Sequence, residues 1–537
     1  MSPRHKRAIL IAATTTTVAA LAAGTALAAP GTSRGPRTTV SPYVVPVADG
    51  VSTKSLLTVG DLPAANGFKM VGIPDGLGAI RNSSGTFDLF MNHELRATQG
   101  ITRRHGQQGA FVSKLRIDRR SLDVRAGSDL IDPGVTYWDY VSQTYGTAPS
   151  SGGPNPRRPG DTFEPQGAQF SRWCSSSLSD PGQLFNRRSG RGYDGQIYFG
   201  NEENGDPGRA FGVTTDGTAQ QLPRLGLFSW ENTLAAANRT DRTLVVGTED
   251  AGPNLTPPPG TDPDDAAGQL WVYAGTKSKR GNPFARAGLT NGVDSVIDVV
   301  DESVTNDAGF RTKYGKHNPA EVDLSEVDWD QSATAQNREA RRDGLSLNRI
   351  EDGAFDPRHP NDFYFLTTEG GKGADVPTGT TGRDGGGLWK LTFEDIEHPE
   401  FGGTLTLLLD GSEPPLLNKP DNMDIDTKGN LLIQEDPGNN VHLARILAYR
   451  IKDGRLATLA RFDPARFSPG PNAMTTDEES SGIIDAKEIL GSGWFVFDAQ
   501  AHKPRTGPNA VEEVEEGQLL TIKVEDFRDV YGSADDD

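Results

Sequence analysis

The sequence predicts an all-β protein, a six-bladed β-propeller with long loop insertions, with seven blades as the alternative. Helical periodicity is scarce, and apolar residues fall in runs of four or five that are rich in β-branched and aromatic members. These runs are bounded by Gly, Asp, Asn and Pro, as in folds built from many short strands. Six times, a short apolar run leads directly into acidic or amide residues. The six instances are residues 87–94, 196–203, 244–250, 363–369, 431–436 and 494–500.

Turns and partner strands fit the same architecture. Residues 356–362 and 424–430 combine Asp, Asn, Pro and Gly, and each predicts a tight turn that leads into a strand. Apolar segments at 269–273, 387–393, 404–409 and 445–450 supply candidate partner strands. The spacing between the six runs is irregular, and we interpret the long gaps as loop insertions on one face.

The N-terminus predicts a secretory signal peptide at residues 1–28. A basic start precedes a short, moderately apolar stretch, and Ala26-Leu27-Ala28 supplies an A-x-A cleavage pattern. We expect a polar tail at residues 29–55 and a single propeller domain at 56–537. No later segment reaches the about 20 apolar residues needed to span a bilayer, so the sequence predicts a secreted protein without a membrane span.

Charge and cysteine content narrow the function classes. The formal net charge is −19, and removing the basic signal segment would make it more negative. A surface this acidic argues against binding of nucleic acid or anionic lipid. Cys174 is the single cysteine, so the chain has no internal disulfide, and an exported thiol is either buried or a metal ligand.

The six acidic strand ends are the candidate site. In a propeller the innermost strand of each blade lines the central channel, and we expect the six runs to be these strands. Carboxylates that meet at one axis raise one another's pKa and call for counter-charge, which bound cations would supply. A solvated acid at a strand end is the alternative for each residue. The candidates are Glu94, Glu202, Glu203, Glu249, Asp250, Glu369, Glu435, Asp436 and Asp498.

Two further segments carry candidate site residues. Strand alternation places Arg349 and Glu351 on one face, where a guanidinium beside a metal-bound carboxylate could grip a phosphate or carboxylate. A surface ion pair is the alternative. Asp421 and Asn422 supply oxygens just before the strand that ends in Glu435 and Asp436, although turn formation would explain them equally well.

The ordered series Met91-Asn-His-Glu94, Asn201-Glu-Glu-Asn204, Arg349-x-Glu351 and Asp421-Asn422 with Glu435-Asp436 resembles the PhoX family of secreted alkaline phosphatases. The resemblance covers most of the mature chain. It implies a six-bladed propeller with calcium ions and a ferric pair, and hydrolysis of phosphomonoesters. It also implies iron ligation by Cys174, Glu202, Glu231 and Glu351, with Arg349 and Glu351 as catalytic residues. The calcium-side candidates are Asp250, Asp421, Asn422, Glu435 and Asp436, and Glu94 is a further candidate metal ligand.

We therefore predict metal-dependent phosphomonoester hydrolysis by a monomer that acts on a small-molecule substrate, with Ca²⁺ as cofactor and Fe³⁺ as a second candidate. Two alternatives stay open. One keeps the propeller and calcium but hydrolyses lactones or other esters. The other is a calcium-stabilised binding propeller without catalysis, in which the acids are structural.

Overall fold

The computed structural model describes residues 29–152, 163, 165–251, 268–368, 386–438 and 442–532. The signal peptide predicted for residues 1–28 and the candidate Glu369 lie outside the described residues. No helix in the described part of the chain is long and apolar enough to cross a membrane.

Short strands are the main regular elements of the described chain. In the first half they are β1 (Thr32–Arg34), β2 (Val44–Pro46), β3 (Val51–Thr58), β4 (Pro74–Arg81), β5 (Thr86–His93), β6 (Phe111–Asp118), β7 (Val124–Asp129), β8 (Tyr137–Asp139), β9 (Thr144–Gly146), β10 (Ser177–Leu178), β11 (Phe185–Asn186), β12 (Arg191–Gly192), β13 (Ile197–Asn201), β14 (Ala210–Thr214), β15 (Ala219–Gln221), β16 (Trp230–Ala235) and β17 (Arg242–Glu249). The later strands are β18 (Leu270–Thr276), β19 (Val293–Val299), β20 (Ala320–Val327), β21 (Ile350–Phe355), β22 (Asp362–Thr368), β23 (Gly386–Phe393), β24 (Gly403–Leu409), β25 (Pro420–Ile425), β26 (Asn430–Glu435), β27 (Arg445–Arg450), β28 (Arg455–Phe462), β29 (Glu478–Asp485), β30 (Trp494–Pro504) and β31 (Glu515–Val524).

Helices are short and lie in the connections. They are α1 (Pro283–Arg286), α2 (Asp307–Lys313), α3 (Ala333–Asp343), α4 (Pro464–Phe467), α5 (Lys487–Leu490), α6 (Ala510–Glu513) and α7 (Phe527–Val530). The described residues also contain two 3₁₀ turns, Pro223–Leu225 and Pro399–Phe401.

The strands form a propeller-like, all-β arrangement. Four sheets have four or five strands each, in the orders β4-β5-β6-β7, β10-β13-β14-β15, β2-β28-β27-β26-β25 and β1-β3-β31-β30-β29. A nine-stranded sheet, β16-β17-β18-β19-β20-β24-β23-β22-β21, lies between them in the chain. The pairings are antiparallel except for β1 with β3, as expected when short turns connect successive strands.

Six strands, which we call the inner strands, form a closed ring of contacts. In order around the ring they are β4, β10, β16, β21, β25 and β29, and β29 contacts β4 again. Each lies at an edge of its sheet. Hydrophobic clusters fill the spaces between neighbouring sheets; one packs Leu432 and Ile446 against Phe497 and Leu520. The core is therefore distributed between the sheets, around the ring.

The N-terminal segment corrects one prediction. Residues 29–55 are not a tail, because β2 pairs with β28 and β3 pairs with β31 near the C-terminus. Strand β3 thus joins the beginning of the described chain to its last sheet. The polar composition of the segment misled because polar side chains of β3 are buried and hydrogen-bonded; Thr53 Oγ1, for example, donates to the carbonyl of Val44 at 2.8 Å.

The turns predicted at 356–362 and 424–430 are present. Asp426 Oδ1 accepts hydrogen bonds from the backbone N–H groups of Lys428 (2.8 Å) and Asn430 (2.9 Å) and so closes the turn into β26. Asp356 Oδ1 accepts likewise from the N–H of Arg358 at 2.8 Å, ahead of β22.

Candidate metal centre

The six acidic runs do not lie on the inner strands as expected. They form β5, β13, β17, β22, β26 and β30. Each of these strands pairs directly with one inner strand, and we call them the second strands. Because each is antiparallel to its inner strand, its C-terminal end lies beside the start of that inner strand. The runs therefore mark the correct end of the ring, but half of the candidate site comes from the inner strands.

A residue able to bind a metal lies near the start of each inner strand, and Cys174 precedes β10 by three residues. In each case the residue comes directly after the first backbone pairing between the inner and the second strand. The six pairings are Pro74 with His93, Trp173 with Glu202, Trp230 with Glu249, Ile350 with Thr367, Pro420 with Glu435 and Glu478 with Ala501. The residues that follow are Asp75, Cys174, Glu231, Glu351, Asp421 and Glu479.

Local backbone irregularities direct these side chains out of the sheets. The pairing register shifts just after Pro74, Trp230, Ile350 and Pro420, and a shift of this kind re-aims the side chain that it contains. At four of the six sites, the residue two positions before the candidate ligand also has a positive φ. Such a φ is uncommon for a bulky residue. These residues are Ile73 (48°), Arg172 (48°), Arg349 (28°) and Lys419 (51°).

Seven side chains come together in three groups, each with ligand atoms within 4.8 Å of one another. The first contains Asp75, Glu94 and Cys174; the second contains Cys174, Glu203 and Glu231; the third contains Glu231, Glu351 and Asp421. Cys174 belongs to the first two groups and Glu231 to the last two. Within the described residues, the groups thus form one continuous series of three candidate metal positions.

The donor atoms fit cations. Asp75 Oδ1 and Glu231 Oε1 are buried and accept no hydrogen bond from the described residues. Glu351 Oε1 is also buried and has an ion pair with Arg349 Nη2 but no hydrogen bond from the described residues. Burial raises the pKa of Glu231 to about 8. Burial, followed by the negative charges of Glu231 and Asp75, raises the pKa of the Cys174 thiol well above its usual value. Bound cations would reverse both effects by favouring the deprotonated ligands.

Two arginines adjoin the series. Arg349 donates through Nε and Nη2 to Asp250 (2.8 and 2.9 Å), and its Nη2 lies 3.2 Å from Glu351. Arg172 donates through Nε to Glu94 at 2.7 Å and through Nη2 to Glu203. Each guanidinium therefore contacts one or two members of the series, and sequence reasoning missed Arg172.

The structure brings together Glu94, Cys174, Glu231, Glu351 and Asp421 of the predicted metal ligands. It adds Asp75, which the sequence did not suggest, and Glu203, which was named as an acidic candidate but not selected. Only the position at an inner-strand start, one residue after an apolar or Pro residue, could have signalled Asp75.

The other predicted ligands have different partners. Glu202 accepts from Arg209 Nε (2.6 Å) and Nη2 (2.8 Å), so this buried pair, and not a metal group, engages both its oxygens. Arg445 binds Glu435 in the same manner at 2.8 and 2.6 Å. Asp250 is bound by Arg349.

The remaining candidates also fall outside the three groups. Asn422 Nδ2 donates to Ser175 Oγ, and Glu249 accepts from Trp271 Nε1 at 2.9 Å. Burial raises the pKa of Asp421 most, followed by the negative charges of Glu231, Glu479 and Asp436, so Asp436 lies close to the third group without belonging to it.

Amide side chains in the acidic runs connect neighbouring sheets beneath the site. Asn92 Nδ2 donates to the carbonyl of Cys174 at 2.7 Å, and Asn201 Nδ2 donates to the carbonyl of Glu231 at 2.8 Å. Gln434 Nε2 bonds the carbonyl of Ser481 on the next inner strand at 3.2 Å. These buried amides fix the backbone that carries the ligand-type residues.

Comparisons with known proteins identify the fold. No protein-family model and no curated protein sequence matches the chain. The structure is similar to that of Pseudomonas fluorescens PhoX in complex with vanadate, a transition-state analogue, with 12% identity, a TM-score of 0.59, and coverage of 94% of this chain and 99% of that chain. A gluconolactonase from Xanthomonas campestris has 12% identity and covers 90% of this chain and 97% of its own, but its TM-score of 0.34 is too low to indicate a shared fold. The chain therefore has the fold of PhoX, and the resemblance drawn from its ordered motifs is confirmed at the level of the fold.

Proposed function

We propose that the chain hydrolyses phosphomonoesters at a polynuclear metal centre formed by the three linked groups. The observation that carries the proposal is the sharing of Cys174 and Glu231 between adjacent groups, which places three candidate metal positions side by side. The PhoX structure, which has the same fold, holds vanadate, a mimic of a phosphoryl group in transfer. Together these favour phosphoryl chemistry over other hydrolyses.

We further infer six blades, one behind each inner strand. The nine-stranded sheet then counts as two blades that β20 joins through its pairings with β19 and β24. Strand β3 completes the last blade beside β31. The site lies at the end of the ring where the inner strands begin.

The donor sets suggest which cations are bound. Cys174 combines a soft thiolate with carboxylates in the first two groups, a mixture that suits iron better than calcium. Glu231, Glu351 and Asp421 offer only oxygen, which suits Ca²⁺. Bound metal ions would neutralise the phosphoryl oxygens and activate the attacking water.

The protein side chains would orient the substrate. Asp250 holds Nε and Nη2 of Arg349, so Nη1 is the nitrogen left to bind a phosphate oxygen. Glu351 lies beside this guanidinium and within the third group, so it would link the metal centre to the phosphate-binding arginine. Arg172, held by Glu94 and Glu203, would place a second positive charge near the first two groups.

The test combines metal analysis with turnover. We would purify the full mature chain without chelator, measure its calcium and iron, and follow p-nitrophenyl phosphate hydrolysis across pH. Glu351→Gln should lower turnover at least about 100-fold, because losing an outer-shell partner of a metal site already costs 10–100-fold. The control is Glu488→Gln, the same substitution at a side chain that is 87% exposed.

Three results would contradict the proposal. Normal turnover in Glu351→Gln would remove this residue from the centre. Ester or lactone hydrolysis without phosphatase activity would favour the alternative of a lactone or ester hydrolase. Bound calcium and a calcium-dependent melting temperature, with no hydrolysis of any substrate, would favour the binding propeller.

A further inference from the structure

Helix α3 lies in the connection between β20 and β21 and contributes no side chain to the three groups. It begins after Ser332, whose Oγ accepts a hydrogen bond from the N–H of Ala335 at 3.3 Å. Its buried residues are Ala335, Gln336, Asn337 and Ala340. Because buried amides need hydrogen-bond partners, the partners of Gln336 and Asn337 identify the segment against which the helix packs.

Both amides bind the backbone of Leu227, which lies four residues before Glu231. Gln336 Oε1 accepts from the N–H of Leu227 at 2.9 Å, and Asn337 Nδ2 donates to the carbonyl of Leu227 at 2.7 Å. The two amide side chains are almost fully buried, so water does not compete for these bonds. Helix α3 therefore fixes the segment that leads into β16 and to Glu231.

Arg341, one turn further along the helix, extends the contacts of α3 to two other segments. Its Nη2 lies 3.3 Å from Asp206 Oδ1 and 3.7 Å from Glu249 Oε1. Asp206 follows Glu203 by three residues, and Glu249 directly precedes Asp250. The side chains of Arg341 and Glu249 are only 17% and 1% exposed, so solvent screens their attraction weakly.

The loop at residues 204–208 is also packed directly against the segment that leads to Glu231. A Cβ on Gly208 would be 2.2 Å from the carbonyl oxygens of Glu202 and Phe228, so this position has no room for a side chain. The N–H of Phe228 donates to the carbonyl of Gly208 at 3.2 Å. A shift of this loop would therefore move the backbone that carries Glu203 relative to the backbone that carries Glu231.

We propose that Arg341 is a positioning residue for the second group of the metal centre, formed by Cys174, Glu203 and Glu231. Its guanidinium ties the loop after Glu203 to the helix that holds the segment before Glu231. Two of the three ligands thus keep their separation before a metal binds, and preorganised ligands bind more tightly than ligands that must be ordered on binding. The inference rests on the metal centre of the proposed function but not on its reaction.

The test is a Co²⁺ titration of the metal-free, full-length mature protein, followed by the absorption of the bond between cobalt and the Cys174 thiolate. Arg341→Met removes the charge and keeps helix propensity. It should weaken Co²⁺ binding about 10-fold, the lower end for outer-shell partners of a metal site, because Arg341 acts through the backbone. Arg341→Lys keeps the charge and should recover part of the loss. A change in global stability alone would not alter the affinity of the folded protein.

Arg342→Met is the matched control, because Arg342 is the next residue of the same helix. Its side chain is 57% exposed and pairs with Asp343 and Glu339, outside the metal centre. Its substitution should leave Co²⁺ affinity unchanged. Asp206→Asn tests the other end of the contact at a side chain that is 34% exposed. The double variant Arg341→Met/Asp206→Asn should lose no more affinity than Arg341→Met alone, because both substitutions remove one contact.

Four results would overturn the proposal: unchanged Co²⁺ affinity in Arg341→Met, an equal loss in Arg342→Met, additive losses in the double variant, or wild type that binds no Co²⁺. If Arg341→Met does not fold, unchanged affinity in Asp206→Asn overturns it instead. Arg341-dependent Co²⁺ binding in a protein that hydrolyses no phosphomonoester would support this inference and contradict the proposed reaction.

Discussion

Two adjacent glutamates, Glu202 and Glu203, should respond in opposite ways to the same substitution. Glu202 binds Arg209 through both oxygens, and the two side chains are only 5% and 4% exposed. Glu203 instead belongs to the group with Cys174 and Glu231. We therefore expect Glu202→Gln to destabilise the fold without loss of metal, and Glu203→Gln to lose metal with little destabilisation.

The magnitude follows from burial. Removing one partner of a buried ion pair costs about 3–5 kcal/mol, because the remaining charge is left uncompensated. Gln keeps one oxygen for Arg209, so we expect the lower end, about 3 kcal/mol, for Glu202→Gln. Glu203 has a pKa raised well above its usual value, chiefly by burial. Replacing Glu203 with neutral Gln leaves Arg172 bound to Glu94, so this guanidinium keeps a carboxylate partner in the metal-free protein.

The assay is urea unfolding of both metal-free variants, followed by calcium and iron analysis after metal loading. Glu203→Gln should lose one metal equivalent, and Glu202→Gln should lose none. Metal loss in Glu202→Gln with unchanged stability, together with full metal content in Glu203→Gln, would refute the reasoning and restore Glu202 as the ligand.

Two other predictions concern the structure around the site. Asn201→Ala removes the amide donor to the carbonyls of Ser175 and Glu231, so it should lower the free energy of unfolding by about 2–4 kcal/mol and weaken metal binding 10–100-fold. The control is Asn361→Ala, which removes an exposed amide. Equal effects of the two substitutions would contradict the role of Asn201. Burial lowers the pKa of His105 to about 4, so this histidine favours folding above pH 6.5 and loses that contribution as the pH falls towards 4. The free energy of unfolding of His105→Phe, relative to that of wild type, should therefore rise by about 2 kcal/mol when the pH is lowered from 7.5 to 5, at 1.36 kcal/mol per pH unit below 6.5. Parallel pH profiles of the unfolding free energy would rule this out.

The repeated motifs predicted more of the fold than the site. Apolar runs of strand length that end in polar residues identified β5, β13, β17, β22, β26 and β30 and the end of the ring to which they point. They also overstated the inner position of these strands, because local pattern does not show which strand of an antiparallel sheet faces the axis.

The sequence by itself determined which side chains are available to the candidate site: one thiol and many carboxylates at strand ends, a set suited to cations. Arg349, Glu351 and Cys174 were found because their spacing or rarity is visible locally.

Only the tertiary structure decided which acids meet. Glu202 and Glu203 are neighbours, yet alternation sends one to Arg209 and the other to Cys174. Asp250 finds Arg349 across 99 positions, and Asp75 reaches Cys174 from another sheet. Register shifts at strand starts and contacts between distant segments set these choices, and neither is encoded in the order of nearby residues.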